Sequence, residues 1–388
     1  MKRETGAYES ISFGEETARA FIPHPLPPST PALQMNARRN ALLAEALSSI
    51  SRLAVAETMV PSHDWFLYGY TRKEALISSQ IEGTQATFQD VAKFEATREG
   101  ENPADIEEVC NYVDALNYAR AEMASPKGLP ISTRLLCGIH LRLMRGVRGA
   151  EKQPGHLRNR QNWIGGAKPG SAIFVPPPHT AVPAALAKLE RWIHATDPLP
   201  ALVRAGLAHA QFETIHPFLD GNGRAGRLLI TLLVEHWGLL KSPLLYLSLA
   251  FKRHQPEYYR RLSQIRTAGD WEGWTEFFLA CVREAADDGV DSATRIFALI
   301  DADRRRLIRN ARTTVAGVRL HDLLIQNPML TLARTTRLLK TTKPTAIKAI
   351  ASLQKCGILH EISGRRRDRI YSYRAYLAIL EKDTLLEN

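Results

Sequence analysis

Residues 201–237 constrain the fold more than any other stretch of this 388-residue chain. Leu202, Ala205, Leu207, Ala208 and Phe212 recur at helical spacing before position 214. From 224 to 237 the chain is Leu-rich, apolar on nearly every side, and stopped by Gly238, the pattern of a buried central helix. Two such helices ask for a mainly α core. The segment joining them, His216-Pro217-Phe218-Leu219-Asp220-Gly221-Asn222-Gly223-Arg224-Ala225-Gly226-Arg227, must close onto a helix N-terminus.

The chemistry of that segment is phosphate handling. Leading N–H groups and the positive end of the helix dipole favour an anion there. Gly221 and Gly223 allow close backbone approach, and Asn222 offers a side-chain amide donor. Arg224 and Arg227, three apart on the first turn, face the same way. Arginine is poorly placed for the dipole at a helix start, so a pair there calls for an anionic partner. Asp220 is a hard oxygen ligand suited to Mg²⁺. His216, just ahead of the anion site, is placed to take a proton from an attacking hydroxyl.

The segment resembles the Fic family motif, His-x-Phe-x-Asp/Glu-Gly-Asn-Gly-Arg-x-x-Arg, at every defined position. The resemblance implies AMP transfer from ATP to a protein hydroxyl. It makes His216 the general base and Asp220 the Mg²⁺ ligand. Gly221, Asn222 and Gly223 would form the anion hole around the α- and β-phosphates. Arg224 and Arg227 would hold the β- and γ-phosphates, and Phe218 would fix the loop in the core. A helix expected from about 65 to 82 ends in Ser78-Ser79-Gln80-Ile81-Glu82-Gly83. Taken alone, Gly83 is a helix stop and Glu82 a surface charge. The stretch resembles the Fic inhibitory motif, Ser/Thr-x-x-x-Glu-Gly/Asn. That likeness implies that Glu82, with Ser78 one turn earlier, pairs with Arg227 and denies it to the γ-phosphate.

Elsewhere, helices are expected over 36–59, 104–121, 132–143, 182–196 and 285–312. Residues 1–35, with Pro23, Pro25, Pro27, Pro28 and Pro31, read as an extended arm laid on another surface. Residues 161–175 read as a short β-hairpin. The resemblance makes it the Fic flap, an edge that holds a target strand with its hydroxyl toward His216. Tyr246, Tyr258 and Tyr259 fit a core, and one of them could line an adenine pocket. Cys110, Cys137, Cys281 and Cys356 lack C-x-x-C spacing, which argues against zinc or a disulfide framework. The start of the chain leads into no apolar signal-type run, and apolar runs are too short for a bilayer, so a cytoplasmic protein without membrane contact is expected.

Charge is concentrated at the C-terminus. Residues 301–388 hold 18 Lys/Arg and 8 Asp/Glu, a net +10 of the whole chain's +11. Helices over 320–325, 332–339 and 344–355, then strands over 358–362 and 369–373, follow the order of a winged helix-turn-helix. Thr342, Lys343, Thr345 and Lys348 fall at the start of its recognition helix, and Arg365, Arg366 and Arg367 at the wing tip. These side chains suit phosphate contacts, hence DNA.

The reading as a whole is a mainly α protein with a short β-hairpin flap and a small winged-helix domain. Its parts would be an N-terminal arm and inhibitory region (1–110), a Fic catalytic core (111–290), a connector helix (291–314) and the winged helix (315–388). The activity implied is a protein adenylyltransferase using Mg·ATP on a Ser, Thr or Tyr hydroxyl of a target protein, autoinhibited by Glu82. Self-modification, a homodimer and DNA binding are compatible with it. Two alternatives stay open: removal of AMP, and a DNA-binding regulator whose Fic part senses nucleotide.

Overall fold

The computed structural model describes residues 3–13, 16–58, 64–100, 102–311 and 313–384. These residues are mainly helical, with two small antiparallel sheets among them. Its packing divides it into two units, residues 1–51 with 111–286, and 52–110 with 287–388. The expected first part, 1–110, is therefore shared between units, because its beginning docks on one core and its remainder on another.

The first unit opens with a hairpin, β1 (Gly6–Phe13) and β2 (Glu16–Pro23), paired from Gly6 opposite Pro23 to Phe13 opposite Glu16. The expected arm is thus extended, but it is a paired sheet. Its start is tied down by Arg3, which bonds the Gly269 carbonyl at 2.8 Å and the Glu272 carboxylate at 2.7 Å. The Thr5 hydroxyl donates to the Ile265 carbonyl. On one face of β2, Ala18 and Ala20 pack with Val175.

Helices follow: α1 (Ala37–Thr58), α2 (Asp64–Ile81), α3 (Phe88–Thr97), α4 (Pro103–Ala124), α5 (Thr133–Leu143), α6 (Val182–His194), α7 (Ala201–Ile215) and α8 (Asn222–His236). Then come α9 (Ser248–Arg253), α10 (Gln255–Ala268) and α11 (Trp271–Arg309). The unit boundaries fall inside α1, α4 and α11. The expected helix ends at Met59 and Arg312 lie outside the described residues.

Helices α7 and α8 form the centre of the first unit, buried along nearly their whole length as their apolar composition requires. They approach closely because Gly226 has no Cβ; one there would lie 2.4 Å from Glu213 Oε1 and 3.1 Å from Phe212. His209, fully buried in α7, bonds the Gly226 carbonyl at 2.9 Å and the Tyr258 hydroxyl at 2.8 Å. Tyr246 and Tyr258 are buried, whereas Tyr259 is exposed.

The expected hairpin over 161–175 is reduced to one antiparallel bridge, Ile164 opposite Phe174, around a 3₁₀ turn at Pro169–Ser171. Gly165 and Gly166, both at positive φ, together with Pro169 break the pairing after a single residue.

The second unit holds α2, α3, the ends of α1, α4 and α11 that belong to it, and the C-terminal elements. These are α12 (Val315–Leu324), β3 (Met329–Thr331), α13 (Leu332–Leu339), α14 (Lys343–Lys355), β4 (His360–Glu361), β5 (Ile370–Ser372) and α15 (Arg374–Glu381). The sheet order is β3-β5-β4, all antiparallel. Strand β3 and helix α15 were not expected. The Tyr373 hydroxyl donates to buried Asp303 at 2.6 Å, tying this sheet to α11. Among the described residues no helix is long and apolar enough to cross a membrane.

Candidate functional site

The site is the turn from α7 into α8. Helix α7 ends when His216 takes the left-handed conformation, φ 49°, while its N–H still bonds the Phe212 carbonyl at 2.9 Å. A non-glycine residue there needs support from its surroundings. Arg158 supplies it. Its guanidinium, buried and surrounded by backbone carbonyls, donates to His216 O at 2.9 Å, Pro177 O at 2.5 Å and Ile215 O at 3.5 Å. The Arg158 N–H bonds Pro217 O at 2.9 Å. A cation over the last carbonyls of α7 also matches the helix dipole. Burial pulls the Arg158 pKa down to about 10, which leaves it charged at neutral pH.

Beyond His216, Asn222 clamps the loop on itself. Its Oδ1 accepts the Phe218 N–H at 2.8 Å, and its Nδ2 donates to the Phe218 carbonyl at 2.9 Å. The amide expected to reach a phosphate is engaged inside the loop, so what Asn222 offers an anion is its backbone N–H. Gly221, at φ 70°, caps α8, and the first helical bond runs from Ala225 N–H to Gly221 O. The N–H groups of residues 222–224 precede that ladder, at the positive end of the helix. Arg224 and Arg227 are buried on the first turns of α8.

Asp220 is held from two sides. Its Oδ1 accepts the Gly221 N–H at 2.7 Å, and its Oδ2 lies 3.4 Å from Lys152 Nζ. Its carbonyl is fixed by His140, whose Nε2 lies 3.0 Å away. His140 Nδ1 accepts the Gly155 N–H at 2.9 Å, so the proton sits on Nε2 and the ring is neutral. The ring also stacks on Phe218, centroids 3.9 Å apart. Burial lowers the His140 pKa to about 4. The unfolded ring protonates near pH 6.5, so the stabilisation is full above that value and is lost as pH falls from 6.5 toward 4. The shift corresponds to about 3 kcal/mol. The thermal midpoint of the wild type should fall over that interval, and that of His140→Gln should fall less.

Sequence reading missed His140, Arg158 and Lys152. His140 lies on the apolar stripe of Leu136, Ile139 and Leu143, where a polar residue is the only signal. Arg158 follows Pro154 and Gly155 in a stretch without helical spacing, and nothing local marks it. Next to the site, Asn162 Nδ2 donates to the Phe218 carbonyl at 3.0 Å, joining the 161–175 segment to the loop. Ile173, 80% exposed, marks the outer face of that segment.

Ser78 and Glu82 lie in the second unit, where α2 ends in a Schellman turn. The Thr84 N–H reaches Ser79 O at 3.2 Å, and the Gly83 N–H reaches Gln80 O at 3.0 Å, with Gly83 at φ 99°. Glu82 is the exposed C-cap, and Ser78 is buried. Thr342, Lys343 and Lys348 are exposed at the start of α14, Thr345 is half-buried, and Arg365, Arg366 and Arg367 are exposed between β4 and β5.

The family description Fic/DOC family N-terminal matches residues 40–121, and Fic/DOC family matches residues 130–234. The chain therefore carries a Fic N-terminal domain followed by a Fic domain, and the turn between α7 and α8 lies inside the latter. Among curated relatives, the chain is similar to Protein adenylyltransferase Fic of Drosophila erecta, 25% identical over 248 residues, which cover 63% of this chain and 45% of that protein. The protein of the same name from Drosophila grimshawi is also 25% identical over 248 residues, covering 63% and 46%. The matched region thus spans less than half the length of these relatives. A crystal structure of a Fic family protein from Desulfovibrio desulfuricans G20 superposes with a TM-score of 0.57 at 24% identity, covering 88% of this chain and 97% of that one. The two share a fold.

Proposed function

We propose that the chain is a protein adenylyltransferase, moving AMP from ATP to a Ser, Thr or Tyr hydroxyl of a protein. The observation that carries this is the Asn222 clamp, which ties Phe218, two residues past His216, to the N-terminus of α8. A base and an anion site held in fixed relation suit attack on a phosphate already in place. The His216 imidazole takes the hydroxyl proton. The oxygen forms a bond to the α-phosphorus, the bond from that phosphorus to the β-bridging oxygen breaks, and pyrophosphate leaves with the electron pair. Gly221 shapes the anion hole, and the N–H groups of Asn222 and Gly223 stabilise the α- and β-phosphate oxygens. Arg224 and Arg227 hold the β- and γ-phosphates. The segment around Ile164 and Phe174 holds the target backbone.

Asp220 suits Mg²⁺. It is one carboxylate beside a phosphate site, and among the described residues no group of three or more His, Cys, Asp or Glu could hold a metal unaided. A magnesium ion bound chiefly by nucleotide needs only one or two carboxylates. When bound, it neutralises phosphate charge.

Glu82 restrains the reaction by competing with the γ-phosphate for Arg227; a carboxylate at the negative end of α2 gains from a cationic partner. The C-terminal elements read as a winged helix: helix, strand, two helices, then a strand pair in the order β3-β5-β4. The test uses α-labelled ATP and Mg²⁺, with the protein alone and in bacterial lysate. Glu82→Gly should label protein about tenfold faster than wild type or more. No label from any variant that still binds ATP overturns the transfer reading. Loss of AMP from pre-modified target that requires Glu82 would instead assign removal.

A further inference from the structure

We propose that duplex DNA is an effector of this protein: it binds the face made by the start of α14 and the β4–β5 loop, and so releases the restraint exerted by Glu82. The inference rests on the reading of Glu82 as inhibitory.

The face is built for a polyanion. From residue 323 to 360 the chain has no Asp or Glu, but it has Arg334, Arg337, Lys340, Lys343, Lys348 and Lys355. Helix α14 buries Ala346, Ala349, Ile350 and Leu353, which leaves Lys343, Ile347 and Lys348 outward. Ile347 is 52% exposed between the two lysines. A helix presenting lysines around an aliphatic group fits a major groove, where phosphates flank thymine methyls. The β4–β5 loop turns at Gly364 and Asp368, both at positive φ, and presents Arg365, Arg366, Arg367 and Arg369 to solvent. Two basic elements in the same unit, a helix and a loop, suit the groove and the backbone of a duplex.

The same unit carries Glu82, and its ties run from the wing to the turn that bears it. Arg365 of the wing pairs with Glu99, just past α3, at 3.0 Å. Arg334 donates to the Glu95 carbonyl, and Gln89 of α3 bonds Glu381 of α15 at 3.0 Å. On α2, Gly69 leaves room for Leu380, which would lie 2.6 Å from a Cβ there. Gln80 Nε2 bridges Ala86 O at 3.0 Å and Thr384 O at 3.2 Å, so the end of α2 is also held by the residues just past α15. Arg365 therefore has two uses. Its exposed pair with Glu99 is weak, and a DNA phosphate can displace that carboxylate. The exchange frees the end of α3 from the wing and loosens the turn between α2 and α3.

The experiment uses the full chain and a fluorescein-labelled random-sequence duplex roughly three helical turns long. Anisotropy at low and higher salt should show binding that weakens steeply with salt. The Lys343→Ala, Lys348→Ala, Arg366→Ala, Arg367→Ala variant should lose at least about tenfold in affinity, with a shallower salt slope. Saturating duplex should raise wild-type AMP incorporation about fivefold or more and leave Glu82→Gly unchanged. Glu99→Gln should raise the basal rate without DNA and respond less to it. No binding, or binding undiminished in the quadruple variant, overturns the DNA site. Binding without a rate change, in a protein whose Glu82→Gly variant is accelerated, overturns the coupling alone. A Glu82→Gly variant no faster than wild type overturns the reading of Glu82 and the coupling with it, while anisotropy still reports the DNA site.

Discussion

His216→Ala should lower the rate of AMP incorporation by about 10²–10⁴-fold, the usual contribution of a positioned general base. Binding of ATP should survive, since the donors at the start of α8 are held by Asn222 and Gly221 rather than by the imidazole. The check is paired: initial rates with α-labelled ATP, and ATP affinity by calorimetry. A variant that keeps wild-type turnover would remove His216 from the chemistry. His216→Asn is a useful companion, because asparagine tolerates the left-handed backbone at this position. Equal losses in both variants would tie the effect to the lost base rather than to a relaxed turn.

Phe218→Ala should destabilise the first unit by about 3–5 kcal/mol, the usual range for emptying a buried aromatic site. Phe218 is fully buried, stacked on His140 and within 6.4 Å, centroid to centroid, of Phe212. Its backbone carries both bonds of the Asn222 clamp, so the cavity opens beneath the loop itself. Urea titration followed by tryptophan fluorescence would measure the loss, and Phe218→Leu, which keeps more of the volume, should lose less. A midpoint unchanged in Phe218→Ala would mean that the ring does not hold the loop.

What the sequence made legible was local. Helices α7 and α8 follow from apolar periodicity and the Gly238 stop, and the end of α2 from Gly83. Each of these signals acts within a few residues. The hairpin β1–β2 was read only as an extended arm, because strand pairing is non-local and β2 carries Ala18 and Ala20 where β-branched residues would have advertised a strand. The 161–175 segment has the opposite fault: its Gly and Pro look like a hairpin turn, yet they leave only the Ile164–Phe174 bridge. At the site, the residue types of the motif were readable, but their supports were not. His140 and Arg158 lie roughly sixty to eighty positions before the carbonyls they hold, and no spacing rule reaches that far.

The Asn222 clamp also bears on how long the protein lasts. Asparagine followed by glycine, as in Asn222-Gly223, is the pair at which a slack backbone most readily cyclises to a succinimide and ages to aspartate or isoaspartate. Cyclisation needs the Gly223 nitrogen to swing onto the Asn222 side-chain carbonyl carbon. Here that side chain is held at both polar atoms, and the next residue is already wound into α8. The loop is thus chemically durable only while it stays folded. Each excursion that opens it exposes the pair to a covalent change that refolding does not reverse.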